Sequence, residues 1–167
     1  MDEIVNKVQQ SGLVTIDLQE LFPKGEREEY DLAQNLWQGL ALKEKDFREF
    51  ISKNDWTFYQ DKLVAIHCSA DAIVPTWAFM LLSTAIQPYA KKIVYGNLEH
   101  LERVLFHELV QSIDEKKYEG ARVVIKGCSD LPVPNSAYVD LTNKLVPVVK
   151  SLMFGEPCST VPLYKKK

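Results

Sequence analysis

An α/β fold with a central, mostly parallel sheet flanked by helices is what this sequence predicts, and three observations predict it. Leu63-Val64-Ala65-Ile66 and Val123-Val124-Ile125 are short apolar runs with the length and β-branching of strands covered on both faces. Stretches with helical spacing of apolar residues follow or separate such runs. Prolines and glycines sit where helices would begin and strands would end. Strand, helix, strand, helix, strand, helix in that order predicts right-handed crossovers within one domain, residues 1–167.

The elements follow in order. Residues 2–11 suit a short first helix, and Leu13 to Asp17 a strand. Pro23-Lys24-Gly25 is a turn, and Glu28 to Leu32 reads as another strand. Helical character begins at Asp31, and Glu44 to Ser52 sets Phe47, Phe50 and Ile51 at helical spacing until Asn54-Asp55 breaks the pattern. After the strand at Leu63 comes a loop bearing Cys68, then a helix entered through Pro75 and stopped by Pro88. Lys92-Ile93-Val94-Tyr95 is the next strand, closed by Gly96. Asn97 caps a helix running to about Ile113, with Leu98, Leu101, Leu105 and Leu109 along one stripe. The strand at Val123 leads through Cys128 to a helix from about Asn135, and Cys158 to Tyr164 suits an edge strand.

Bulk properties narrow the function. At 167 residues, 46% hydrophobic and 26% charged, the chain can bury a core. A net charge of −3 gives no electrostatic reason to expect nucleic acid, and no apolar run approaches the ~20 residues that span a bilayer. Met1-Asp2-Glu3 lacks the basic start of a signal peptide, so the expected location is cytoplasmic. An odd count of three cysteines there argues against a disulfide framework.

Those three cysteines share one phrase: Cys68-Ser69, Cys128-Ser129 and Cys158-Ser159, each followed within a few residues by Val-Pro. Two of the phrases precede segments that align without a gap. Val74 to Gly96 and Val133 to Gly155 share seven identical positions over 23 residues, which raises an internal duplication of a βα unit as one reading. Two similar units that chose similar caps is the other. Duplication would bring Cys68 and Cys128 to corresponding strand ends, where ligands gather in open α/β sheets.

Thiolates are soft ligands, so a zinc or iron site on Cys68, Cys128 and Cys158 is the first functional expectation. His67, Asp71 and Asp130 are the further candidate ligands, each in or beside a cysteine loop. Two alternatives stand beside it. One is a metal-free cysteine enzyme or redox sensor using Cys68 with His67 as base. The other is a non-catalytic interaction domain with structural cysteines, since free cysteines are commonly small buried hydrophobes. No phosphate-binding glycine loop or nucleophile elbow is present. His107-Glu108-Leu109-Val110-Gln111 lacks the second histidine of a zincin helix, and His100, Arg103 and His107 read as a solvated face. Trp56, Phe58, Tyr59, Trp77 and Phe79 read as packing, and Lys43 to Arg48 as an exposed helical face.

Several phrases together resemble a known bacterial family, domain-of-unknown-function family 2480. They are Ser11-Gly12-Leu13-Val14, Leu42 to Arg48, Cys68 to Ala78, Lys126-Gly127-Cys128-Ser129 and Phe154 to Pro162. All three cysteines lie within them, and His67 lies outside. The family has no established activity. Its members often lie near genes for iron–sulfur cluster assembly, so the resemblance implies iron or a cluster-linked role, with iron–sulfur assembly proteins as partners. Other copies of the chain are a further expected partner; nucleic acid and membrane are not.

Overall fold

The computed structural model describes residues 12–127, 130–156 and 158–167. In chain order these form β1 (Leu13–Ile16), β2 (Arg27–Asp31), α1 (Glu44–Lys53), β3 (Leu63–His67), α2 (Thr76–Ile86), β4 (Lys92–Tyr95), α3 (Leu98–Ser112), β5 (Arg122–Ile125), α4 (Asn135–Leu145), β6 (Ser151–Glu156) and β7 (Ser159–Lys165). The helix expected over residues 2–11 lies outside the described residues. Among those described, no helix is long and apolar enough to cross a membrane.

The fold is mixed α/β with mostly parallel strands, as the sequence predicts, but the strands form two sheets rather than one. One has the order β1-β5-β6-β7 and the other β2-β3-β4. The division arises because β1 pairs with β5 and not with its neighbour in sequence, β2. Two compact units result: a first unit of the residues up to Pro23 together with Leu105–Lys167, and a second unit of Lys24–Val104. The boundary falls inside α3.

Each unit has its own core. In the second, Tyr30, Val64 and Ile66 from the sheet close on Phe47 of α1 and on Ala78, Leu82 and Ile86 of α2. Trp56 and Tyr59 join it, with Tyr30 and Trp56 ring centres 5.9 Å apart, so these aromatics pack as expected. In the first, Ile16, Val123, Ile125 and Leu152 close on Leu141 and Leu145 of α4 and on Phe106 and Val110 of α3. The leucine stripe of α3 is therefore shared with these two residues, while Leu98 is exposed.

The two units repeat one plan, offset by 59 residues. Ala78 N–H donates to Pro75 O at 2.9 Å, and Ala137 N–H to Pro134 O at 2.9 Å. Asp61 N–H reaches Tyr89 O at 2.9 Å, and Gly120 N–H reaches Val148 O at 2.8 Å. The Ser83 hydroxyl donates to Phe79 O at 2.8 Å and the Thr142 hydroxyl to Tyr138 O at 2.7 Å. Phe79 meets Tyr95 edge-on at 5.1 Å, as Tyr138 meets Phe154 at 5.6 Å. Both outgoing strands reach a glycine with positive φ, Gly96 at 131° and Gly155 at 124°. A side chain at Gly96 would strike the His100 ring, and one at Gly155 the Ser159 carbonyl.

The plan breaks in one place. β6 is paired on its far side with β7, antiparallel from Ser151↔Lys165 to Glu156↔Ser159. β4, its counterpart, is the last strand of the second unit's sheet among the described residues.

Candidate functional site

The Cys68 loop is built on Asp31. β2 and β3 run parallel with Asp31 beside His67, which brings that carboxylate to the start of the loop. Asp31 Oδ1 accepts the N–H groups of Ala33 at 2.9 Å and Ser69 at 3.0 Å, and Oδ2 accepts the Ser69 hydroxyl. Burial pushes the Asp31 carboxyl up. The hydrogen bonds from Ser69 and Ala33, with His67 nearby, outweigh that and hold it below its ordinary value. The Ser69 hydroxyl and N–H both donate to Asp31 and brace the loop.

His67 Nε2 lies 2.8 Å from Glu29 Oε1, close enough for an ion pair when the ring is protonated. The approach misses hydrogen-bonding angles, and that nitrogen is otherwise buried without a partner. Cys68 is half-buried against the core of the second unit, its Sγ 3.9 Å from Ala70 O. Asp71 is exposed. These placements make a tied-down loop.

The first unit braces its loop in a related way. Asp17 takes the place of Asp31: its Oδ1 accepts Gln19 N–H at 2.9 Å and its Oδ2 the Lys126 ammonium at 3.2 Å. That hydrogen bond and the Asp17 charge push the Lys126 ammonium up. Asp130 N–H donates to Gln19 Oε1 at 3.1 Å. The offset of 59 sets Cys68 opposite Gly127, not opposite Cys128. A side chain on Gly127 would come within 2.7 Å of the tip of the Phe154 ring, which would have to shift to admit one.

Cys128 lies outside the described residues, and Cys158 is exposed in the turn between β6 and β7. Cys68 belongs to the second unit and Cys158 to the first. Among the described residues, no three of His, Cys, Asp and Glu are grouped to hold a metal ion. The six ligands suggested by the sequence therefore gain no metal centre from the described geometry. His107 Nδ1 faces Asp140 Oδ2 at 2.9 Å from an exposed position, and His100 Nδ1 contacts its own cap, Asn97 Oδ1, at 2.8 Å.

A broad concavity in the second unit holds none of these residues. It runs between α2 and β4 in the second unit, about 1020 Å³, along Ile66, Val74, Thr76, Phe79, Met80, Ser83, Thr84, Gln87, Ala90, Lys91, Lys92, Ile93 and Tyr95. Its walls mix apolar residues with Thr76, Ser83, Thr84, Gln87, Lys91 and Lys92, and Met80 (64% exposed) and Tyr95 (69%) stand open along it. The Ser83 and Thr84 hydroxyls donate to Phe79 O and Leu81 O of their own helix. In the first unit the corresponding space is split. About 610 Å³ lies at the start of α4, and about 210 Å³ lies where Leu163 of β7 joins Tyr138, Val139, Thr142 and Phe154. A sequence signal for the groove exists: α2 carries Trp77, Met80 and Leu81 where α4 carries Ser136, Val139 and Asp140, leaving α2 apolar on nearly all sides.

Residues 2–166 match the model of a protein family described as a protein of unknown function, DUF2480. The chain belongs to the DUF2480 family. No curated protein and no solved structure matches it.

Proposed function

We propose that this member of the DUF2480 family is a non-catalytic interaction protein whose second unit takes a segment of another polypeptide into the groove between α2 and β4. One observation carries the reading. Two large apolar side chains, Met80 and Tyr95, stand exposed on either wall of a groove that follows a sheet edge. Exposed apolar surface lining a cleft is characteristic of binding sites, whereas single exposed hydrophobes are ordinary. The chemistry of the walls agrees with this. The groove is lined by no carboxylate, imidazole or thiol, and two of its four hydroxyls, those of Ser83 and Thr84, are engaged with backbone carbonyls.

The 59-residue recurrence supports reading the chain as a duplicated βα unit, one copy closed by its own strand and one open. The test is an amide-shift titration with eight-residue peptides bearing a central leucine. Shifts are expected at Met80, Ser83 and Ile93, and Met80→Asp weakens binding at least tenfold, since burying a side chain of that size is worth about 1.5–3 kcal/mol. Shifts confined to other parts of the chain would contradict the reading.

A further inference from the structure

We propose that β7 is a displaceable strap. It lies, in the first unit, in the counterpart of the second unit's groove, and its release opens that counterpart to an extended segment of another polypeptide. The class of ligand rests on the groove reading above; the release of β7 does not.

The linings of the two units show the correspondence. Ile66, Val74, Phe79, Met80 and Tyr95 border the groove of the second unit. The residues 59 positions further on are Ile125, Val133, Tyr138, Val139 and Phe154, and they border the two smaller spaces of the first. Tyr138, Val139 and Phe154 border both spaces, so the two are parts of one groove. Every other residue around the smaller space has its counterpart in the second unit's groove, and Leu163 of β7 does not. β7 therefore sits where a bound strand would, with Leu163 against α4. Like linings suit like ligands, so the first unit's groove takes the class proposed for the second.

The way β7 is held makes it releasable. Of its seven residues only Thr160 and Tyr164 are half-buried, and the others are exposed. The strands beside it differ: Val123, Val124 and Leu152 are 0% exposed. The ladder to β6 is interrupted in the middle of β7. Leu152 pairs with Tyr164 and Met153 with Pro162, so Leu163 is a bulge residue set opposite none, and Pro162 has no N–H to give. The Thr160 hydroxyl donates to the Met153 sulfur at 3.7 Å, a weak bond. Val123, Leu141, Leu145 and Leu152 pack together without β7. A segment with few buried contacts opens at a lower free energy than the core beside it.

The opened edge is ready for another strand. Ser151 N–H donates to Ala121 O, on the β5 side. Alternation turns the N–H groups of Leu152 and Phe154 the other way, to β7. Once bare, such an edge is a template for pairing. An incoming segment needs an aliphatic side chain where Leu163 stands, and it competes with β7 for the place.

The test follows amide exchange by residue in the full chain, in urea below the unfolding midpoint. Leu152 and Phe154 should exchange through an opening at least tenfold more populated than the one that exposes Val123 and Val124, with a shallower urea dependence. Leu163→Asp should speed exchange at Leu152 and Phe154 at least fivefold and leave Val123 and Val124 unchanged. In that variant millimolar acetyl-Ser-Thr-Val-Pro-Leu-Tyr-Lys-amide, a copy of β7, should slow Leu152 and Phe154 at least fivefold. One shared opening for all four amides would overturn the strap, as would Leu163→Asp speeding all four alike. A peptide that leaves Leu152 and Phe154 fast in the variant would overturn the claim that the opened edge takes a segment from outside. Slowing that grows with protein concentration, without peptide, would give the edge to a second copy and overturn the choice of ligand. Slowing by the peptide at Leu152 and Phe154 with no shift at Met80 and Ser83 would contradict the groove reading and leave the strap standing.

Discussion

The two units are built alike and finished differently. Both set a proline-entered helix over parallel strands and brace a loop on an aspartate. Both end the outgoing strand at a glycine. In the first, β7 covers the edge of β6 and puts Leu163 against α4. In the second, no described strand covers the corresponding edge, and α2 carries Trp77, Met80 and Leu81 where α4 carries Ser136, Val139 and Asp140. The difference teaches where to look for function: shared features are what the plan needs to fold, and the groove is what only one unit keeps.

Matched truncations in the shared core should have the largest effects. Leu82→Ala and Leu141→Ala remove side chains at corresponding positions, both 0% exposed, and each is expected to cost about 2–5 kcal/mol by chemical denaturation. A much smaller cost for one would break the equivalence of the units. Deleting Ser159–Lys167 next removes the covering strand. Tyr164 is part of the first core, so a loss on the order of 2 kcal/mol is expected, with a several-fold rise in fluorescence of an apolar dye as the β6 edge opens. Unchanged dye binding would mean that β7 is not what closes the first unit.

The braces offer a finer comparison. Asp31 accepts three hydrogen bonds from Ala33 and Ser69, so Asp31→Asn is expected to cost about 1–3 kcal/mol by thermal or chemical unfolding. Asp17→Asn should cost less, since Asp17 accepts one backbone N–H and a half-buried lysine. The sign with pH follows. The Asp31 carboxyl is lowered on folding, so its contribution is present at neutral pH and lost as pH falls from about 4 through its lowered value. Asp31→Asn should flatten that part of the acid limb. At the other extreme, burial raises the Tyr30 phenol despite its hydrogen bond to Asn35, so stability present below about pH 10 is lost as pH rises beyond it.

The smallest effect concerns the cysteine. Cys68→Ser is expected to change stability by about 1 kcal/mol or less, and to leave zinc and iron content unaltered by elemental analysis. Stoichiometric metal lost with that substitution would establish a thiolate centre in place of the interaction reading.

Much of the fold was legible in the sequence, because strands and helices buried on one plan leave strong local patterns. Pro75, Pro88, Gly96 and Asn97 all mark the boundaries they promised. β6 was harder to read directly, since Ser151-Leu152-Met153-Phe154 lacks β-branching, and its alignment with Lys92 to Tyr95 is the signal that finds it. The split into two sheets was not legible, because pairing of β1 with β5 is a long-range choice that no local pattern encodes. The six ligands that the sequence suggested form no metal-holding group among the described residues, and Cys128 lies outside them. A repeated Cys-Ser phrase draws the eye, yet at Cys68 the serine ties a loop to Asp31. The groove depends on the exposure of Met80 and Tyr95, a tertiary outcome that no local pattern encodes.

The claim that one edge is open and the other closed is tested most directly by amide exchange in the free chain at four corresponding positions. Leu152 and Phe154 should be protected by β7, while Ile93 and Tyr95, at the uncovered edge, exchange far faster. Equal protection at all four would show that β4 is already paired and would contradict the account.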